Sequence, residues 1–179
     1  MSTTTELQIP AGTWAIDASH TEVGFVARHL MVSKVRGTFR EVAGTVEIAE
    51  DITKSVVDVT AQIASVETGS PDRDTHLKSE DFFDAEKFPT MHFVSTSFDG
   101  ATLAGDLTIK DVTKPVSFDV DFGGVGQDPW GNTKAGFEAT TTVNRKDWGL
   151  TWNAAVEGGG VLVSDKITIN IDVQLAKQA

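Results

Sequence analysis

The sequence predicts an all-β chain folded as a closed or nearly closed antiparallel barrel of about eight strands. Three observations predict it. Apolar and polar residues alternate over most of the chain, the period of a half-buried strand. Several of those stretches reach ten residues, long for a sandwich but suited to tilted, bent barrel strands. The alternation stops in one place, about residues 70–84, where a short helical insert reads as a lid across a barrel end. An immunoglobulin-like sandwich is the competing architecture, and the missing Cys-Trp-Cys pattern disfavours it only mildly.

Thr13 to Asp17 reads as a first short strand, followed by a tight turn at Ala18-Ser19-His20. Val23, Phe25, Ala27 and His29 then share one strand face, with Gly24, Val26 and Arg28 opposite. Val35, Gly37 and Phe39 hold odd parity, whereas Gly44, Val46 and Ile48 hold even parity. That change requires a bulge or bend near Arg40 to Ala43, which a closing sheet uses to curve. Val57, Val59, Ala61 and Ile63 share the inward face of the next strand.

The lid follows. Ser70 and Asp72 are good N-caps, Pro71 suits a first helical position, and Asp74 in the first turn complements the helix dipole. Ser79 caps a second short turn bearing Phe82 and Phe83, and Pro89 restores extended backbone. Arg73 and Asp74 are read as a pair that, with His76, fastens the lid.

Beyond it, Met91, Phe93 and Ser95 face inward, then Leu103, Gly105, Leu107 and Ile109. Val116, Phe118, Val120 and Phe122 give the cleanest alternation. A Gly- and Pro-rich turn (Gly123 to Gly131) leads to Ala135, Phe137, Ala139, Thr141 and Val143. After a Gly158-Gly159-Gly160 hinge, the last strand keeps Val161, Val163, Ile167, Ile169, Ile171, Val173 and Leu175 in one parity. The domain is therefore placed at 12–176, with 1–11 and 177–179 as flexible ends.

Composition narrows the function. The formal charge is −11, so phosphate backbones and anionic membranes are repelled on average, and no Lys/Arg cluster is evident along the chain. Nucleic acid and stable membrane insertion are not expected. The start lacks the basic residues and apolar core of a secretory signal, which leads to a cytoplasmic expectation. There is no cysteine, and His20, His29, His76 and His92 show no metal-ligand spacing. Neither a nucleophile elbow nor a phosphate loop is present.

Ten phenylalanines and four tryptophans, with no tyrosine, spread over nearly every inward face. That distribution fits a filled core and a lined apolar cavity equally. His29 reads either as a core histidine or as a ligand contact, and Arg145 either as a strand-end clamp through Asp147 or as a partner for a polar head.

Asp17-Ala-Ser-His20-Thr-Glu-Val-Gly-Phe25, Gly37-Thr-Phe39, Ser65-Val-Glu-Thr68, Arg73-Asp-Thr-His76-Leu77 with Asp81-Phe82-Phe83-Asp84, Phe88-Pro89 and Phe93-Val-Ser95-Thr96 resemble the YceI-like family. So do Gly105 to Val116 and Asn144 to Gly149, and the likeness runs from about Gly12 to Val173. The resemblance implies a lipocalin-like barrel that carries a long amphiphile (a polyisoprenoid, isoprenoid quinone or fatty amide) without catalysis. Two departures are Asp111, where many members have glycine, and Trp148, where phenylalanine is common. The proposed lining is Phe25, His29, Phe39, Val57, Val59, Ile63, Phe82, Phe83, Met91, Phe93, Leu107, Phe118, Phe137, Trp148 and Trp152. No metal and no cofactor beyond the lipid are expected, and a homodimer is an open option. The alternatives are a lipid-modifying enzyme using His29 or His76 as base, and a protein-binding scaffold.

Overall fold

Eleven strands and one helix make up the regular structure in the computed structural model, which describes residues 8–30, 32–153 and 163–178. The strands are β1 (Gly12–Ile16), β2 (Glu22–His29), β3 (Ser33–Phe39), β4 (Val42–Ile48), β5 (Val56–Gln62), β6 (Val66–Glu67), β7 (Thr90–Phe98), β8 (Thr102–Ile109), β9 (Val112–Gln127), β10 (Thr133–Asn144) and β11 (Lys166–Lys177). The helix α1 is Pro71–Lys78.

Three of the long strands are broken in the middle. β1 and β2 both run antiparallel to β11, so they form one strand interrupted by a 3-10 turn at Ala18–His20. β3 with β4 and β5 with β6 are two more, pairing with each other as β4–β5 and β3–β6. The other five strands follow in hairpin order, and β11 returns to β1 and β2. The result is a closed eight-stranded antiparallel barrel with no free edge. The change of parity expected near Arg40 to Ala43 is the break at Arg40–Glu41, where Arg40 N–H bonds the Ser65 carbonyl and the Glu41 carbonyl accepts from Gln62.

Elsewhere the pattern bends differently from expectation. Gly123 to Gln127 belongs to β9 rather than to a turn, and the hairpin closes at 128–132 around the Asp128 side chain. A register shift near Gly136 absorbs one residue of this glycine-rich stretch. β11 extends to Lys177, one residue past the expected domain end, and pairs there with Trp14. Val163 makes only an isolated bridge to His29, while Val161 and the Gly158–Gly160 hinge lie outside the described residues. Within the expected N-terminal tail, the Pro10 carbonyl accepts from the Trp14 indole at 3.1 Å.

Trp14, Val46, Ile48, Ile52, Phe98, Ala135 and Leu175 pack together at one end and close it. Phe82, Phe93, Leu107, Ile109, Phe118, Trp148 and Leu150 gather at the other, under the lid. Two close approaches make this packing possible. A Cβ at Gly37 would overlap the Phe25 ring, and one at Gly105 would overlap Phe93 and the Val94 carbonyl. Only glycine lets those rings lie against the opposite strand.

Two turns give stability predictions. The β8–β9 hairpin closes through Lys110 and Asp111, both in the left-handed region at φ 53° and 61°. Two such residues define a type I′ turn, in which glycine is strongly favoured at the second position. Asp111→Gly is expected to raise stability by about 0.5–1 kcal/mol in urea unfolding, since the strain outweighs the added unfolded-chain entropy.

Asp17 accepts from Lys134 Nζ at 2.9 Å and from Ser19 Oγ at 2.7 Å, tying the β1–β2 break to β10, and it also pairs with His20 Nδ1 at 3.0 Å. These partners, Lys134 foremost, hold its carboxyl well below the usual carboxylate range. Its stabilisation is therefore complete above the ordinary carboxylate pKa and is lost as pH falls into the acid range. In urea melts below about pH 4, Asp17→Asn should lose the part of the acid sensitivity that this group supplies, about 1–2 kcal/mol.

Candidate functional site

The inward side chains of the barrel do not meet at its centre. They surround a cavity of about 280 Å³ lined from all eight barrel strands, and by Leu77 of α1 with Phe82 and Phe83 of the turn after it. The lining is almost wholly apolar. Buried hydroxyls nearby are already engaged: Ser95 Oγ accepts from Val57 N–H at 2.8 Å, and Ser55 Oγ accepts from Ala49 N–H at 3.0 Å. Among the described residues, no buried side-chain nitrogen or oxygen lacks a partner. A guest inside this cavity therefore meets hydrocarbon and no free polar group, so a polar head belongs at an end.

The lid is fixed through Thr68. Arg73 donates to Thr68 Oγ1 at 2.8 Å and to its carbonyl at 2.7 Å, and Asp74 accepts from Thr68 N–H at 2.8 Å and from its hydroxyl at 2.5 Å. Arg73 and Asp74 thus converge on the strand end before the helix rather than on each other. Adjacent residues on a helix do not face one another, which is the physical reason. His76 Nε2 bonds Asp81 at 2.9 Å, and its ring packs edge-on against Trp152 and Phe82, with centroids 4.6 and 5.0 Å away. This stack pins Phe82, which is buried, against the segment carrying Trp148 and Leu150. Phe83 meets Phe39 edge-on at 5.8 Å.

Phe25, Phe39, Val57, Val59, Phe82, Phe83, Met91, Phe93, Leu107, Phe118, Phe137 and Trp148 all line the cavity. Three expected lining residues do not. His29 has the inward parity, but it sits at the last position of β2, opposite Ser33 and bridged to Val163, and it is not among the residues that line the cavity. Ile63 leaves β5 for a 3-10 turn and is buried among Phe39, Val42, Ala61 and Val66. Trp152 packs on the outside of the lid stack.

The proposed lining left out Ala139, although its parity matches that of Phe137, and Leu77 of the helix, and Phe98, which a bulge between Ser95 and Ser97 turns inward. Arg145 also reaches the cavity wall, but its guanidinium is spent on backbone carbonyls and on Asp165 at 3.8 Å, not on Asp147. The described residues contain no group of three side chains able to hold a metal ion.

Comparison with known proteins agrees with this architecture. The profile of the YceI-like domain matches residues 14–175. The chain belongs to the YceI-like family. A UPF0312 protein of Staphylococcus aureus is 37% identical over 167 residues, covering 91% of this chain and 96% of its own length. The solved Campylobacter jejuni YCEI protein is 31% identical with a TM-score of 0.71, covering 85% of this YceI-like chain and 90% of its own. A polyisoprenoid binding domain from Saccharophagus degradans, implicated in plant cell wall breakdown, shares the fold at a TM-score of 0.72 and 11% identity, over 92% of this chain and 98% of its own.

Proposed function

We propose that this YceI-like barrel binds a long-chain amphiphilic lipid and carries it without chemical change, the apolar chain in the cavity and the polar head at the lid end. The observation that carries the reading is a nearly all-apolar cavity touched by every barrel strand, with a pinned aromatic lid at one end. A polyisoprenoid, an isoprenoid quinone or a fatty amide fits this description, and the fold-sharing Saccharophagus domain is a polyisoprenoid binding domain. Burial of about 500 Å² of prenyl surface would contribute roughly 12 kcal/mol. Association costs of roughly 4–15 kcal/mol leave a useful margin only when most of the chain is enclosed.

The alternative of a lipid-modifying enzyme named His29 or His76 as base, and neither lines the cavity. Mass spectrometry of the natively purified protein is the test. A bound long-chain lipid near one equivalent is the expected result, and repeated recovery of ligand-free protein that binds no added lipid would remove the proposal.

A further inference from the structure

We propose that the β2–β3 hairpin is the surface by which this protein docks on an anionic lipid bilayer, its apolar tip entering the headgroup layer and its basic flanks lying against phosphates. The inference rests on the lipid-carrier reading for its purpose, but it stands on separate residues. Between Val23 and Arg40 the chain has four Lys or Arg residues and no Asp or Glu, although the whole carries −11. The sequence reading found no basic cluster because these residues are spaced along the chain. Strand pairing gathers them. Arg28 lies directly opposite Lys34, and Arg36 opposite Val26, all on the outer face because Val23, Phe25 and Ala27 point to the cavity. Lys166 joins the same outer face at the start of β11, two residues from Thr168, which pairs with Val26.

Arg28, Lys34 and Arg36 have no carboxylate partner among the described residues. Like charges placed directly opposite are unfavourable, so this arrangement does not serve the stability of the hairpin. At the tip, Leu30 is 41% and Val32 82% exposed, and Leu30 is held at φ 55°, a conformation disfavoured for leucine. Two aliphatic side chains on a protruding turn, rimmed by cations, match the chemistry of a headgroup layer. An acidic protein would recognise the cations but leave the aliphatic tip in water.

The net negative charge does not defeat the contact. On the strands that carry the hairpin, the carboxylates gather in a row of four, Asp121, Glu138, Asp172 and Glu22, aligned across β9, β10, β11 and β2. Glu22 begins β2, six positions before Arg28, about 20 Å away along a strand. That exceeds the roughly 8–10 Å screening length at physiological salt. The row instead orients the barrel, hairpin end toward the membrane. Strand order places the hairpin tip at the same end as the lid. Because Asp72, Asp74, Glu80, Asp81, Asp84 and Glu86 outnumber the lid's three basic residues, the hairpin and not the lid makes the contact.

Flotation with vesicles of phosphatidylcholine alone, and of phosphatidylcholine with phosphatidylglycerol, tests the proposal. The protein is expected to bind only the anionic vesicles, less so as salt rises. The Arg28→Gln, Lys34→Gln, Arg36→Gln triple variant should bind on the order of a hundredfold more weakly, at about fivefold per basic residue. The Leu30→Ser, Val32→Ser variant should bind more weakly while keeping its salt dependence. Thermal melts verify folding of both, and each substitution lies on the surface. Absence of binding to anionic vesicles overturns the proposal, as does equal binding by the folded triple variant. Binding to soluble polyglutamate but not to vesicles would assign the hairpin to an acidic protein and also overturns it. Mass spectrometry on the same preparations separates the two readings: cavity lipid without vesicle binding removes only the docking surface, whereas vesicle binding by protein that never holds lipid removes only the carrier.

Discussion

Ala139→Phe is expected to give a folded barrel that copurifies with at least tenfold less lipid than the wild type. Ala139 lies on β10 between Val120 of β9 and Ile171 of β11, and all three line the cavity. A phenyl ring added there enters void rather than packed side chains. In a filled core the same change would overpack and cost about 1–3 kcal/mol, whereas in a cavity the ring gains burial of about 1.5–3 kcal/mol. The melting temperature should therefore hold or rise while lipid is lost. Adding lipid should raise the melting temperature of the wild type by mass action and leave that of Ala139→Phe unmoved. Leu107→Ala is the mirror case. It enlarges the cavity from a buried position, so it should lose about 2–5 kcal/mol of stability yet keep its lipid. Unchanged lipid content in Ala139→Phe would show that the guest sits elsewhere.

That contrast depends on which residues face the cavity, and most of this was readable from parity. Phe118, Val120 and Phe122 face inward because a strand presents alternate residues to one side, and long-range pairing does not alter that rule. Parity carries no information about position along the barrel axis. His29 therefore reads as a lining residue although it stands at the last position of β2 and does not line the cavity. Nor does it announce where a strand ends when no Gly or Pro marks the place. Gln62-Ile63-Ala64-Ser65 turns into a 3-10 helix with no such signal, and Ile63 goes with it.

The opposite error arises at Gly123 to Gln127. Its composition argues for a turn, but β10 pairs with Gly124 to Gln127 and passes Gly123 as a bulge, so pairing overrides propensity. The lid was legible as a helix from its caps, whereas its anchor at Thr68 and the His76–Trp152 contact join segments that only the folded chain brings together.

The same limit hid the role of Arg145, which carries the largest stability prediction. Its side chain is 5% exposed and donates from Nε to the Ser164 carbonyl at 2.9 Å and from Nη1 to the Leu150 and Trp152 carbonyls at 2.7 and 2.9 Å. Nη2 reaches the Val163 carbonyl at 3.4 Å. One guanidinium thus satisfies carbonyls on both flanks of the segment that ends with Trp148, Leu150 and Trp152 on one side and begins again at Val163 on the other. Burial lowers its pKa, and Asp165 opposes that shift, but an arginine so placed keeps its charge at any pH at which the barrel folds.

Arg145→Ala leaves these acceptors buried or forces them to find water. The expected loss is about 3–5 kcal/mol in urea unfolding. Arg145→Lys should recover less than half, because a single ammonium cannot span carbonyls that a planar fork reaches together. Lipid should also leave the variant faster, since Trp148 and Leu150 wall the lid end of the cavity and Trp148 keeps its place through an indole bond to the Leu107 carbonyl at 2.9 Å. A loss below about 1 kcal/mol in Arg145→Ala would mean that water already shares these carbonyls, and the lid end would then have to be held by the aromatic stack alone.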